Sequence, residues 1–270
     1  MKEVLLGAIV GDYMGSYLEF ANNKYYNFRV SPSLCEVTDD SILTAAIADA
    51  LLRGRDYSAS LVEWAGHFPD PMGGYGASFQ QWVASGGKAP YNSYGNGAAM
   101  RISPVGWFFD TIEQTLEEAR KATEVTHNHS EGLRGAYAVA AAIYKLRNGC
   151  SRHAVRQYIE SNYYDLSFSL HRLRPSYSFS ESCMDTVPVA LKCYLDSKNW
   201  EDAVRLAVSM GGDADTLGAI TGSIAIADPT YEIPSILSRQ VIRKMPSLIS
   251  SVVLEFNRRV MKSSARYGLR

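Results

Sequence analysis

The chain has 270 residues, 46% of them hydrophobic, and sets 27 Lys and Arg against 28 Asp and Glu for a formal net charge of −1. That length gives one large domain or two small ones with a substantial core, and the lack of a Lys/Arg run or basic stripe argues against a nucleic-acid partner. Cys35, Cys150, Cys183 and Cys193 form no CxxC pair or zinc spacing, no leader-like start precedes residue 20, and the apolar stretch from residue 4 is broken by Asp12 and closed by Glu19; a cytoplasmic protein with reduced thiols and no membrane span is expected.

Apolar residues recur at three- and four-residue steps along most of the chain, the mark of amphipathic helices, and strand-type alternation is hard to find. The first helix is expected over 2–20. It carries Gly7, Gly11 and Gly15 at every fourth position, a stripe of small residues that lets another backbone come close. Asp12 and Glu19 are seven residues apart, hence on one face if the helix stays regular; either acid could serve a site or point to solvent. In VTDDSILTAAIADALL, residues 37–52, Thr38 suits an N-cap and Asp39 and Asp40 the first turn of a helix over 41–53.

After the break at Arg53-Gly54-Arg55-Asp56 comes a helix over 58–67, ended by Pro69-Asp70-Pro71. MGGYGASF, 72–79, and SYGNGAAMR, 93–101, are glycine-rich loops that run into helices, with Gly86-Gly87 between them. Tyr75 stands between Gly74 and Gly76, and Tyr94 precedes Gly95, Asn96 and Gly97. Exposed amides at such junctions hold phosphate oxygens, and tyrosine rings stack on a base or sugar. Helices over 111–124 and 131–147 flank THNHSEG, in which the His127/His129 spacing without a nearby cysteine argues against zinc. His127 suits a phosphate contact or a solvent-facing helix start capped by Asn128 or Ser130. Asn148-Gly149 precedes a helix over 151–161, and the aromatic- and serine-rich 162–186 reads as an irregular excursion. Helices over 187–196, 200–210, 215–227 and 247–260 complete an all-α single domain over residues 1–270, with Asp228-Pro229 closing the helix that bears Gly218 and Gly222.

SMGGDADTLGAITGSIAIA, residues 209–227, raises the sharpest chemical question. Asp213 and Asp215 could be helix-start acids, as could Asp39 and Asp40. Yet two helix starts each carry two aspartates and an adjacent threonine, Thr38 and Thr216, and each leads into a small-residue helix suited to the interior. Carboxylates and hydroxyls are hard oxygen donors that suit Mg²⁺, Mn²⁺ or Ca²⁺. Converging without a cation they would repel one another. Gly211-Gly212 would turn the backbone tightly enough to aim Asp213 and Asp215 at one point.

In order along the chain, GAIVGDYMGSYLEF, VTDDS, GGYG, SYGNGAAMRISPVG, THNHSEGLRGA and GGDADTLGAITGSIA resemble the ADP-ribosylglycohydrolase family. The resemblance implies a compact all-α fold with a binuclear Mg²⁺ or Mn²⁺ centre in a cleft, and ADP-ribose or an ADP-ribosylated protein as substrate. By position it implies Thr38, Asp39, Asp40, Asp213, Asp215 and Thr216 as metal ligands, with Asp39, Asp40, Asp213 and Glu19 in the catalytic group. It places Gly74, Tyr75, Gly76, Tyr94, Gly95, Asn96, Gly97 and His127 near the ADP-ribose. Ser41 stands where the family usually has threonine, keeping the hydroxyl, and the stretch after Ala227 reaches Asp228-Pro229 without the usual glycine-bearing helix end. An isoprenoid-synthase reading fails because a DDxxD pattern from Asp39 would need an acid at Leu43. A non-catalytic ADP-ribose-binding module is the remaining alternative, and the two complete acidic clusters favour the enzyme.

Overall fold

Two glycine stripes meet at the centre of the molecule. The computed structural model describes residues 4–266, and in it α1 (Leu6–Gly15) runs against a helix far along the chain, Ala214–Ala225, whose residues are buried without exception. The intervening helices are α2 (Asp39–Arg53), α3 (Tyr57–His67), α4 (Ala77–Ala84), α5 (Gly97–Met100), α6 (Ser103–Phe108) and α7 (Ile112–Glu124). They continue as α8 (Ser130–Arg147), α9 (Arg152–Asn162), α10 (Leu170–Leu173), α11 (Cys183–Asp196) and α12 (Trp200–Val208), which makes the Ala214–Ala225 helix α13. Then follow α14 (Ser235–Lys244) and α15 (Ser247–Arg266). Among the described residues no strand forms, so the fold is all-α.

The α1–α13 contact is backbone to backbone. A Cβ at Gly218 would sit 2.3 Å from the Gly11 carbonyl oxygen, and one at Gly11 would sit 2.1 Å from the Gly218 oxygen. Nothing flexible is there to give way, so Gly218→Ala is expected to force the helices apart. The cost should be about 3 kcal/mol, read as a lower denaturant midpoint at unchanged m-value. Trp200 closes one side of the pair, its indole Nε1 donating to the Gly222 carbonyl at 3.0 Å.

Most predicted helices appear within a few residues of their expected ends, and the exceptions have local causes. Residues 2 and 3 of the predicted first helix lie outside the described residues. Its regular part stops at Gly15, where Ser16–Leu18 tighten into a 3₁₀ turn, so Asp12 and Glu19 do not share a helix face. α11 begins at Cys183 rather than 187, because Ser182 caps it by accepting from the Asp185 N–H while Pro188 is carried inside the helix. α14 was not expected; it follows Pro234 and buries only Leu237 and Val241 on its inner side. The start of α8 is capped by the His129 side chain, whose Nδ1 accepts from the Glu131 N–H at 3.1 Å, and by neither Asn128 nor Ser130.

Two isolated backbone bridges tie loops to the helix starts. Thr38 pairs with Met72, which lays the Gly73–Gly76 loop beside the start of α2, and Gly95 pairs with Ser182, which joins the second glycine-rich loop to the end of the 162–186 excursion. The loop after α1 is tied down by Lys24. Its ammonium donates to the carbonyls of Tyr177, at 2.5 Å, and Met210, just before the turn into α13.

Candidate active site

The α13 start is built by Gly211 and Gly212, both at φ +74°, a left-handed conformation that a side chain would strain. This turn delivers Asp213 as the first residue before the helix, yet its carboxylate caps nothing. It accepts instead from Asn96 Nδ2 at 2.7 Å, from the second glycine-rich loop. Asp215 Oδ1 accepts from the Thr216 N–H at 2.9 Å.

At the start of α2, capping and site-building divide between neighbours. Thr38 is the cap, its Oγ1 accepting from the Asp40 N–H at 3.3 Å. Asp39 and Asp40 are left free to line the cavity. The two helix starts, almost two hundred residues apart in sequence, meet where Thr216 Oγ1 donates to Asp40 Oδ2 at 3.1 Å. Asp40 Oδ1 is buried and, among the described residues, has no hydrogen-bond partner.

Behind this junction lies Asp12, fully buried, an acid that sequence reasoning left undecided. Its Oδ2 accepts from the N–H groups of Thr38 (3.0 Å) and Ser41 (3.2 Å) and from Ser41 Oγ, and its Oδ1 accepts from Thr38 Oγ1 (2.9 Å). Asp12 therefore fixes the first turn of α2 and uses the hydroxyl that Ser41 retains. Burial pushes its carboxyl up to about 6 against the pull of those hydrogen bonds. Asp12→Asn would remove the buried charge and set an amide donor where two N–H groups and two hydroxyls now all donate, so that a hydroxyl must reverse to accept it; activity is expected to fall about 10–100-fold, measured as turnover with the far-ultraviolet circular dichroism unchanged.

The carboxylates converge on a cavity of about 410 Å³, within the range of small-ligand sites. Oxygens of Glu19, Asp213 and Asp215 lie within 4.8 Å of one another, and Asp39, Asp40 and Thr216 share the wall. Burial, then the charge of Asp213, then those of Asp12 and Glu181 push Glu19 up to about 8. Asp39, Asp40 and Asp215 are driven well above the ordinary carboxylate range by burial first and by their acidic neighbours second. Arg101 and His127 line the same cavity and bring a cationic and a polar group to it. Burial, and then the neighbouring guanidinium, hold His127 well below its usual value, so its imidazole is neutral.

Gly74, Tyr75, Gly76, Gly95, Asn96, Gly97 and His127 all line this cavity. Tyr94 does not: its ring is 51% exposed and packs edge-on against His129. Thr38 is also off the wall, its hydroxyl engaged with Asp12. Sequence reasoning did not single out Arg101, Phe20, Phe179 or Glu181, which are wall residues. Phe20 and Phe179 form a tilted pair at 5.6 Å, Phe20 remaining 72% exposed, so the residue after Glu19 meets the 162–186 excursion at the mouth.

An all-helical body with an acidic, oxygen-donor cluster on the wall of a ligand-sized cavity defines an enzyme-like cleft of small-molecule dimensions. The ADP-ribosylglycohydrolase family model matches residues 1–241, and the chain belongs to that family of glycohydrolases. It is similar to an ADP-ribosylarginine hydrolase Tri1 from Pseudomonas putida, 26% identical over an alignment covering 83% of this chain and 69% of that protein. It is similar also to the ADP-ribosyl-[dinitrogen reductase] glycohydrolase of Rhodospirillum rubrum, at 27% with 86% of each chain covered, and to human ADP-ribosylhydrolase ARH3, at 23% with 82% and 83% covered. A solved structure titled an ADP-ribosylglycohydrolase-related protein complex superposes with a TM-score of 0.72 at 22% identity, covering 95% of this chain and 96% of that one, and shares the fold. No helix among the described residues is long and apolar enough to cross a membrane.

Proposed function

We propose that the chain hydrolyses the glycosidic bond between ADP-ribose and the group it modifies, a protein side chain or a small adduct, with divalent cations held by the acidic cluster. The observation that carries this reading is the pairing, in one cavity, of a converging carboxylate cluster with a buried guanidinium and imidazole. Family membership gives that pairing its chemical context, as do relatives named for ADP-ribosyl hydrolysis.

The residues fit a hard cation. Asp39, Asp40, Asp213, Asp215 and Thr216 offer only oxygen donors, and the buried Asp40 Oδ1 has no hydrogen-bond partner among the described residues. Mg²⁺ or Mn²⁺ bound there would offset the clustered negative charge and make a neighbouring water easier to deprotonate. Thr38, with its hydroxyl on Asp12, would support these ligands from behind.

The chain's own groups do the rest. Asn96 orients Asp213, Thr216 orients Asp40, and the Asp12 cradle keeps Asp39 and Asp40 at the mouth of α2. Cleavage at the anomeric carbon passes through an oxocarbenium-like state and needs a positioned sugar and an activated water. The proton of that water goes to an ionised carboxylate facing the cluster, Glu19 on the loop after α1 or one of Asp39, Asp40 and Asp213, and a bound cation would favour the ionised form. Phe20, Phe179 and Glu181 surround the mouth, where the leaving side chain must lie, and so bear on which linkage is accepted.

Incubation with ADP-ribosylated protein, with Mg²⁺ or with excess chelator, tests the proposal by the release of free ADP-ribose. Release that depends on the cation supports it. Tight binding of ADP-ribose with no release under either condition supports the non-catalytic binding module instead.

A further inference from the structure

We infer that Arg101 and Thr126 are positioning residues that lock His127 with its proton on Nε2, so that the ring presents an N–H donor to the cavity. The consequence for ADP-ribose rests on the function proposed above; the proton placement does not.

Arg101, only 2% exposed, lies between α5 and α6, and its Nη2 is 2.5 Å from Thr126 Oγ1. A guanidinium has donors and no acceptor, so the threonine oxygen accepts here. Its own proton must then go elsewhere. His127 Nδ1 lies 2.7 Å away, inside the normal hydroxyl range, whereas the Thr123 carbonyl at 3.4 Å lies outside it. Thr126 thus donates to Nδ1, which must be the bare nitrogen of the ring. The proton of a neutral imidazole then resides on Nε2.

That nitrogen faces the second glycine-rich loop: a Cβ at Gly97 would meet it at 3.2 Å and one at Gly95 at 3.4 Å. His127 is 4% exposed and lines the cavity, and among the described residues Nε2 has no protein acceptor. Protonating the ring would place a second cation against the buried guanidinium, which burial and charge both oppose. Tyr91 packs over the imidazole at 5.7 Å and brings no acidic group to it. Arg101 and His127 therefore present two kinds of donor on one cavity wall, as a ligand rich in oxygen acceptors would require.

The test is the tautomer itself. In protein labelled with ¹⁵N-histidine at pH 7, the His127 ring is assigned by its loss in His127→Gln, and long-range ¹H–¹⁵N correlations report which nitrogen carries hydrogen. The expected pattern is a single neutral tautomer protonated on Nε2. Thr126→Val should release that lock, giving mixed or Nδ1-protonated signals, and weaken ADP-ribose binding about tenfold, the loss of one hydrogen bond. Thr126→Ser should restore both. A wild-type ring protonated on Nδ1 or on both nitrogens overturns the inference without any variant, as does an unchanged tautomer in folded Thr126→Val. If the tautomer behaves as expected but neither protein binds ADP-ribose, the lock stands and the proposed function is what fails.

Discussion

Asp215→Asn is expected to abolish ADP-ribose release while making the chelator-treated protein more stable. Asp215 is buried and faces Asp213, Asp40 and Glu19, and its carboxyl is pushed well up by burial and by those charges. An amide keeps the bond to the start of α13, since its oxygen can still accept from the Thr216 N–H, and its N–H₂ can donate to Asp213. What it loses is the negative charge. If that charge serves a cation and the oxocarbenium-like state, turnover should fall at least about 10²–10³-fold, the usual cost of losing one pre-organised electrostatic partner. If the charge is a liability to the metal-free fold, its removal should raise the melting temperature in chelator. Both effects are needed. A variant that turns over normally refutes the site assignment, and one that is inactive but also less stable in chelator points to a structural role for Asp215 instead.

Much of the helical frame was legible because its signals are local. Thr38 capping α2, the Gly54 and Gly149 stops and the three-to-four periodicity each depend on neighbours within a turn or two. The glycine stripes of Gly7, Gly11 and Gly15 and of Gly218 and Gly222 announced a close approach, but nothing in either segment said that each would be the other's partner. α14 escaped because two buried residues after a proline make a weak pattern, and α11 began early because the Ser182 cap outweighs the interruption at Pro188.

The site divides the same way. Both aspartate pairs were visible as unusual helix starts, and the structure brings them to one wall. Asp12 was visible but ambiguous, because only the fold carries it to the backbone of α2. The missed Arg101 sat at the end of SYGNGAAMR, where a lone arginine reads as surface charge; its burial depends on Thr126 and Phe79, both remote in sequence. Phe20 and Phe179 likewise acquire meaning only when the irregular excursion folds over the mouth.

The second large effect expected is a stability that falls as pH rises in chelator and does not fall with Mg²⁺ present. A carboxyl whose folded pKa lies above its unfolded value binds more protons in the folded state. Its favourable contribution is complete below the unfolded value, near 4, and is lost as pH rises through the folded value. Glu19 at about 8 sets the upper edge of that window, and Asp39, Asp40 and Asp215 shift in the same direction. The neutral buried His127 acts oppositely, adding stability as pH rises toward the ordinary histidine value of 6.5, so the clean interval lies between pH 7 and 8. There each proton released on unfolding is worth about 1.4 kcal/mol per pH unit, or roughly 4 °C in melting temperature. Glu19 is half ionised at the upper edge, so it alone contributes about 1 kcal/mol, and scanning calorimetry in chelator should show a drop of roughly 3 °C across the interval. With saturating Mg²⁺ the carboxylates are held ionised and the slope should vanish, so the gap between the two curves widens with pH. Parallel curves would mean that the acidic cluster holds no cation at all, whatever its resemblance to a metal site.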